Sequence, residues 1–233
     1  MNNITKLLII SVVLLSISIT YSSTHHPLPL LGKVIYIDSG HGGKDPGTSV
    51  KNILEKDITL AIAKKLDHRL TSLGAITYMT RDADYDLSAP QSYNIKRNDL
   101  TNRINLINEL DPDLYISIHV NSYPSSKYYG AGVYYDEVNP ENKIIAEIMQ
   151  SRLKEDLESP RSVKKLRGYY LFRSVKAPGI LVEVGFMSNP NERGLLVLPR
   201  YQQRLSNTIA RGIIDYHKNR SILIRIYETD IRI

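Results

Sequence analysis

Hydrophobic and polar positions along this chain switch repeatedly between a strand-like and a helix-like period. The apolar run at 34–37 leads straight into Asp38-Ser39-Gly40-His41-Gly42-Gly43, which predicts a buried strand ending in a tight glycine loop. At 54–73, Ile58, Ala61, Ile62, Leu66, Leu70 and Leu73 recur at helical spacing, and Gly74 ends the pattern. Residues 75–80 predict a second strand leading to Arg81-Asp82, and 83–93 are polar and loop-like. Leu100, Ile104, Ile107 and Leu110 mark another helix, closed by Asp111-Pro112. A third strand at 114–118 ends in His119.

Beyond a surface loop at 123–129, residues 131–135 predict a further strand. A helix follows at 141–157, with Ile144, Ile145, Ile148, Met149 and Leu153 on one side. After a basic stretch at 160–167, residues 180–184 predict the last strand, and 191–198 and 201–216 predict closing helices. The tail at 221–233 alternates apolar and polar residues, a pattern open to an edge strand, a docking segment or a frayed end. Strands alternating with helices predict an α/β fold: a single-domain three-layer sandwich whose mixed, largely parallel central sheet is flanked by helices. No internal repeat or second domain is visible.

Composition narrows the chemistry. The 233 residues include no cysteine, which excludes disulfides, thiolate metal sites, thiol catalysis and acylation at cysteine. A formal charge of +6 favours an acidic partner, so the compartment decides which one. Lys6 precedes an uncharged apolar run at 7–19, which suits a signal-peptide core better than a full membrane span. Residues 1–23 are therefore expected to be a signal peptide or an uncleaved, membrane-associated anchor. Residues 24–31 are expected to be a linker, 32–218 a catalytic domain and 219–233 a tail. Export sets nucleic acid aside as a partner.

Three groups stand where strands end or helices begin: His41, Glu55 and His119. Zinc hydrolases use three nitrogen or oxygen ligands and leave a position for water, and a His-Glu-His set meets that need without sulfur. A fourth group, Glu183, lies inside the apolar run Ile180-Leu181-Val182-Glu183-Val184. A carboxylate there must be paired or used. One reading is a buried ion pair with Arg81 or Arg103; the other is a general base beside a zinc-bound water. Asn121, next to His119, is a candidate to support the site or to cap a turn.

The segments DSGHGGKDPGT, LEKDITLAIAKKL, YISIHVNS and GILVEVGFMSNPNE together resemble the zinc-dependent N-acetylmuramoyl-L-alanine amidases of the Amidase_3 family, across nearly all of 32–218. The resemblance implies that His41, Glu55 and His119 hold one zinc ion and that Glu183 is catalytic. It implies peptidoglycan as substrate, cleaved between N-acetylmuramic acid and L-alanine, and an extracytoplasmic place of action in the cell wall or on the membrane. The short chain and lone export segment, without wall-binding repeats, look most like members that mature the spore cortex in the forespore intermembrane space. Ser39 stands where the family usually has proline. The stretch between His119 and Glu183 gives no sign of the blocking helix that silences some relatives, so control is expected through a regulatory protein partner or metal loading. Stem peptides carry carboxylates, which makes Arg161, Lys164, Lys165, Arg167 and Arg173 candidates to meet them. Asn121, Arg167 and Arg173 are the substrate-binding residues expected. The competing readings are another zinc peptidase or deacetylase of the wall, and a non-catalytic wall-binding protein.

Overall fold

The computed structural model describes residues 2–11 and 28–230, with side chains described as far as Arg220. Residues 3–11 are helical, and most of the expected export segment lies outside the described residues. Among those described, no helix is long and apolar enough to cross a membrane.

Six strands form the central sheet: β1 (Val34–Ser39), β4 (Ile76–Met79), β5 (Leu114–Asn121), β6 (Gly132–Tyr135), β7 (Lys164–Lys165) and β8 (Gly179–Phe186), in the order β4-β1-β5-β8-β6-β7. All neighbours run parallel except β6 and β8. A separate hairpin pairs β2 (Ser49–Val50) with β3 (Ile53–Leu54). Its turn residues Lys51 and Asn52 both have positive φ, at 50° and 63°, as a two-residue hairpin turn demands. So short a hairpin leaves no alternation to detect in the sequence.

The helices are α1 (Glu55–Ser72), α2 (Ile95–Leu110), α3 (Glu141–Leu157), α4 (Tyr170–Ser174), α5 (Pro190–Leu196) and α6 (Pro199–Asp230). The sheet's three central strands are buried on both faces, so their sequences read as nearly unbroken apolar runs. Ile35, Ile37, Ile116, Ile118, Val182 and Val184 pack towards α1, α3 and α6. Tyr36, Tyr115 and Leu181 point to the opposite face, against Ile104 and Ile107 of α2 and Leu171 and Phe172 of α4. The expected three layers are present.

Several boundaries differ from expectation. Leu30, placed in the linker by sequence, is fully buried in the core, and its backbone N–H donates to the Leu73 carbonyl. The closing helix runs through the tail to Asp230, where alternation had allowed a strand. Tyr216 and Arg220 anchor that helix on Glu141 of α3, the guanidinium with hydrogen bonds of 2.6 and 2.8 Å. The basic segment contributes β7, which pairs beside β6 at the sheet edge.

Candidate active site

The carboxyl ends of β1, β5 and β8 are adjacent, and this is the edge at which open α/β sheets bind ligands. Ser39 pairs with Ile118, and His119 pairs with Glu183 in parallel register. Three elements distant in sequence therefore end at one place. A bulge follows at once: between His119 and Asn121 the register of β8 slips, and Gly185 there takes φ 154°. Bulges beside a site bend the strand and re-aim its side chains.

His41 sits just past β1 with φ 61°, a conformation that costs a non-glycine residue free energy and needs support. Two buried arginines provide it. Arg103 donates to the carbonyls of Ser39 (2.6 Å) and His41 (2.5 Å), and Arg81 to those of Ser39 (3.1 Å) and Gly40 (2.9 Å). Arg103 is itself held by Asp38 and Asp99, each at 2.8 Å. Sequence had offered both arginines as partners for Glu183; the structure gives them to the histidine loop instead. Glycine is required at position 40 because a Cβ there would stand 2.5 Å from the His119 ring.

Glu55 opens α1, and its buried carboxylate is the hub of the cluster. Oε2 accepts from the Thr48 amide at 2.8 Å, and Oε1 accepts from the Val120 amide at 2.9 Å. Oε1 also lies 3.2 Å from His41 Nε2 and 3.1 Å from His119 Nδ1. Burial pushes this carboxyl upward, but the hydrogen bonds from His119 and His41 outweigh it and hold Glu55 well below the usual range. Burial likewise disfavours a charged His41, yet Glu55 and Asp45 raise its pKa above the ordinary imidazole value. The two rings meet edge to face with centroids 4.9 Å apart.

One ligand atom from each of His41, Glu55 and His119 lies within 4.8 Å of the others. Tetrahedral zinc with bonds of about 2.0–2.2 Å sets neighbouring ligand atoms roughly 3.3–3.6 Å apart. The separations of 3.1 and 3.2 Å, in an all nitrogen and oxygen donor set, fit such an ion. Asp45, which sequence reasoning missed, lies 2.9 Å from His41 Nδ1 and thereby turns Nε2 towards Glu55. Its signal was available as a carboxylate four positions after a histidine in a glycine loop.

Glu183 lies on β8 between His119 of β5 and Gly132 of β6. Its Oε2 is buried and has no hydrogen-bond partner among the described residues. Burial, then the charge of Glu55, pushes this carboxyl up to about 8, with His41 opposing. Asn121 donates to the Tyr134 hydroxyl at 3.1 Å and lines the small cleft that Glu183 shares with Tyr134, Arg161 and Phe186. On the other side of the cluster, a cleft of about 210 Å³ is bounded by His41, Asp45, Lys96, Arg103, His119 and Tyr169. Arg167 and Arg173 are exposed, and neither lines either cleft.

Both the sequence and the fold are similar to those of known proteins. The chain is 43% identical over 193 residues to the germination-specific N-acetylmuramoyl-L-alanine amidase of Bacillus subtilis, covering 81% of each sequence. Its fold is similar to the CwlD amidase from Clostridioides difficile, solved in complex with the GerS lipoprotein. That match has a TM-score of 0.76 and 34% identity, over 79% of this chain and 98% of that one. AmiC2 of Nostoc punctiforme is similar too, with a TM-score of 0.70 and 29% identity, over 83% and 99% of the two chains. The profile of one family spans residues 35–215, from β1 into α6 and across every site residue described above; the chain belongs to the Amidase_3 family of N-acetylmuramoyl-L-alanine amidases.

Proposed function

We propose that the chain hydrolyses the amide bond between the lactyl group of N-acetylmuramic acid and L-alanine of the peptidoglycan stem, with His41, Glu55 and His119 holding one zinc ion and Glu183 moving the proton. The observation that carries this reading is the partnerless Oε2 of Glu183 beside a three-ligand cluster. When bound, zinc supplies a Lewis acid that polarises the scissile carbonyl and acidifies the attacking water, and its charge draws the Glu183 carboxyl towards the base form. Glu183 accepts one proton from that water as its oxygen attacks the carbonyl carbon. It returns the proton to the alanine nitrogen as the C–N bond breaks, leaving a lactyl carboxylate and a free amino terminus. Asp45 fixes the His41 imidazole through its other ring nitrogen, and Arg81 and Arg103 hold the His41 loop in its strained turn.

The relatives support a biological setting for this activity. Similarity to a germination-specific amidase supports a role in spore cortex maturation and so in germination; we place that action outside the cytoplasm, in the forespore intermembrane space. The complex of the Clostridioides difficile amidase with a lipoprotein supports a regulatory protein partner for this chain as well. Digestion of purified peptidoglycan by the zinc-loaded protein tests the activity. New L-alanine amino termini are expected in the fragments; release of acetate, or cleavage within the stem, would overturn the assignment in favour of a deacetylase or peptidase.

A further inference from the structure

Arg161 follows α3 and lies in the basic segment just ahead of β7. Its backbone N–H donates to the Ser159 hydroxyl at 3.3 Å, and that hydroxyl donates to the Ala131 carbonyl at 2.5 Å. Its Nε donates to the Tyr129 carbonyl at 2.9 Å. The guanidinium carbon stands 4.5 Å from the centre of the Phe186 ring and 5.5 Å from that of Tyr128. A side chain gripped at its backbone, its Nε and the face of its planar head has lost most of its rotamer freedom already.

Its charge is nevertheless left unanswered. Among the described residues Arg161 forms no salt bridge, and its Nη2 is buried without a hydrogen-bond partner. The two fully buried arginines differ: Arg103 has two carboxylates, and Arg81 has a set of backbone carbonyls. Glu192 is near enough to feel the charge of Arg161, but its oxygens accept from the amides of Gly130 and Phe186. Glu183 borders the same cleft, yet its upward shift follows from burial and from Glu55, with only His41 opposing. A rigid guanidinium that keeps one buried, unpartnered nitrogen beside a hydrolytic site is suited to receive a planar anion.

Building on the amidase reading, we propose that Arg161 binds a free carboxylate of the stem peptide and so selects stems that carry one. The structure separates it from the other basic candidates. Lys165 pairs with Glu137, Arg167 and Arg173 lie outside the cleft, and Lys164 is an exposed side chain at its rim. The cleft encloses only about 10 Å³, so the exposed side chains of Ser162 and Lys164 turn aside when the carboxylate enters. The competing guest is a single water bridging Nη2, which would be indifferent to the charge of the stem.

The test is equilibrium binding to the zinc-loaded full chain. The background is Glu183→Gln, to prevent turnover, and the probes are a muramyl dipeptide with free carboxylates on its second residue and its diamide. Adding Arg161→Gln is expected to weaken binding of the free acid by about tenfold to a hundredfold, the range of a charge-assisted pair. The diamide should change less than about twofold, and Arg161→Lys should restore part of the loss while Lys164→Gln leaves the preference intact. Equal losses for acid and diamide, no loss for either, or failure of the parent to bind the acid overturns the proposal. A wild-type chain that cleaves peptidoglycan, together with a Glu183→Gln parent that does not discriminate acid from diamide, refutes the role of Arg161 alone. A zinc-loaded wild-type chain that cleaves none refutes the amidase reading itself. An unchanged melting temperature for Arg161→Gln, read by circular dichroism, shows that any loss is not one of folding.

Discussion

Replacing Asp45 with alanine removes the carboxylate 2.9 Å from His41 Nδ1 while leaving every residue of the three-ligand cluster in place. His41 is partly buried on a strained loop, and the rotation of its ring is fixed by its hydrogen-bond partners. Asp45 resists that rotation and makes the opposite nitrogen a stronger donor. Its own placement is firm, since Gly47 N–H donates to Oδ1 and Lys96 lies 3.1 Å from the same oxygen. Loss of such an outer partner typically weakens metal binding by about tenfold to a hundredfold, or about 1.4–2.7 kcal/mol. Zinc affinity measured by competition with a chromophoric chelator reads this directly. Asp45→Asn, which keeps an acceptor oxygen but no charge, should fall between wild type and alanine. Zinc affinity unchanged in both variants would refute the claim that this carboxylate orients His41, and with it the assignment of His41 as a ligand through Nε2.

Other consequences follow from the same geometry. Glu183→Gln should lower peptidoglycan cleavage by about a hundredfold or more while zinc affinity, read by chelator competition, stays within a few-fold of wild type. In the zinc-free protein the same change has a pH signature. A carboxyl raised to about 8 in the folded chain keeps its proton where the unfolded chain has lost it, so its contribution to stability is present below the unfolded carboxylate pKa and is lost as pH rises towards 8. Urea titrations from pH 5 to 8 should show wild type losing ground to Glu183→Gln over that window, and a constant difference would refute the buried placement. Gly40→Ala drives a methyl to 2.5 Å from the His119 ring on a backbone pinned by Ile118 and Arg81. It should cost about 1–3 kcal/mol of stability and weaken zinc binding more than tenfold, as thermal melts and metal titration would reveal. Arg103→Leu strips the buried Asp38 of its cation and should destabilise the fold by about 3–5 kcal/mol in urea titrations.

Local sequence pattern alone carried much of this molecule. Strands buried on both faces must be apolar nearly throughout, so β1, β5 and β8 stand out, and the residues interrupting or ending those runs, His41, His119 and Glu183, stand out with them. Glu55 at the head of α1 is an ordinary first-turn acid until its neighbours are known. The same pattern says nothing about elements too short to show a period, which is why the β2–β3 hairpin, β7 and α4 emerge only in three dimensions. Nor does it distinguish an alternating tail from the continuation of α6, a helix anchored on Glu141 from across the fold by Tyr216 and Arg220. Partnership is the other property that chain order cannot reveal. Arg103, Arg161 and Glu183 are all charged residues whose partners cannot be read from their place in the chain. Only the packing of distant segments decides that the first is paired with Asp38 and Asp99 while the other two keep an atom without a partner. Hydrophobic period is a local quantity and survives in one dimension; electrostatic satisfaction depends on distances between strands and helices, and those exist only once the sheet has brought its carboxyl ends together.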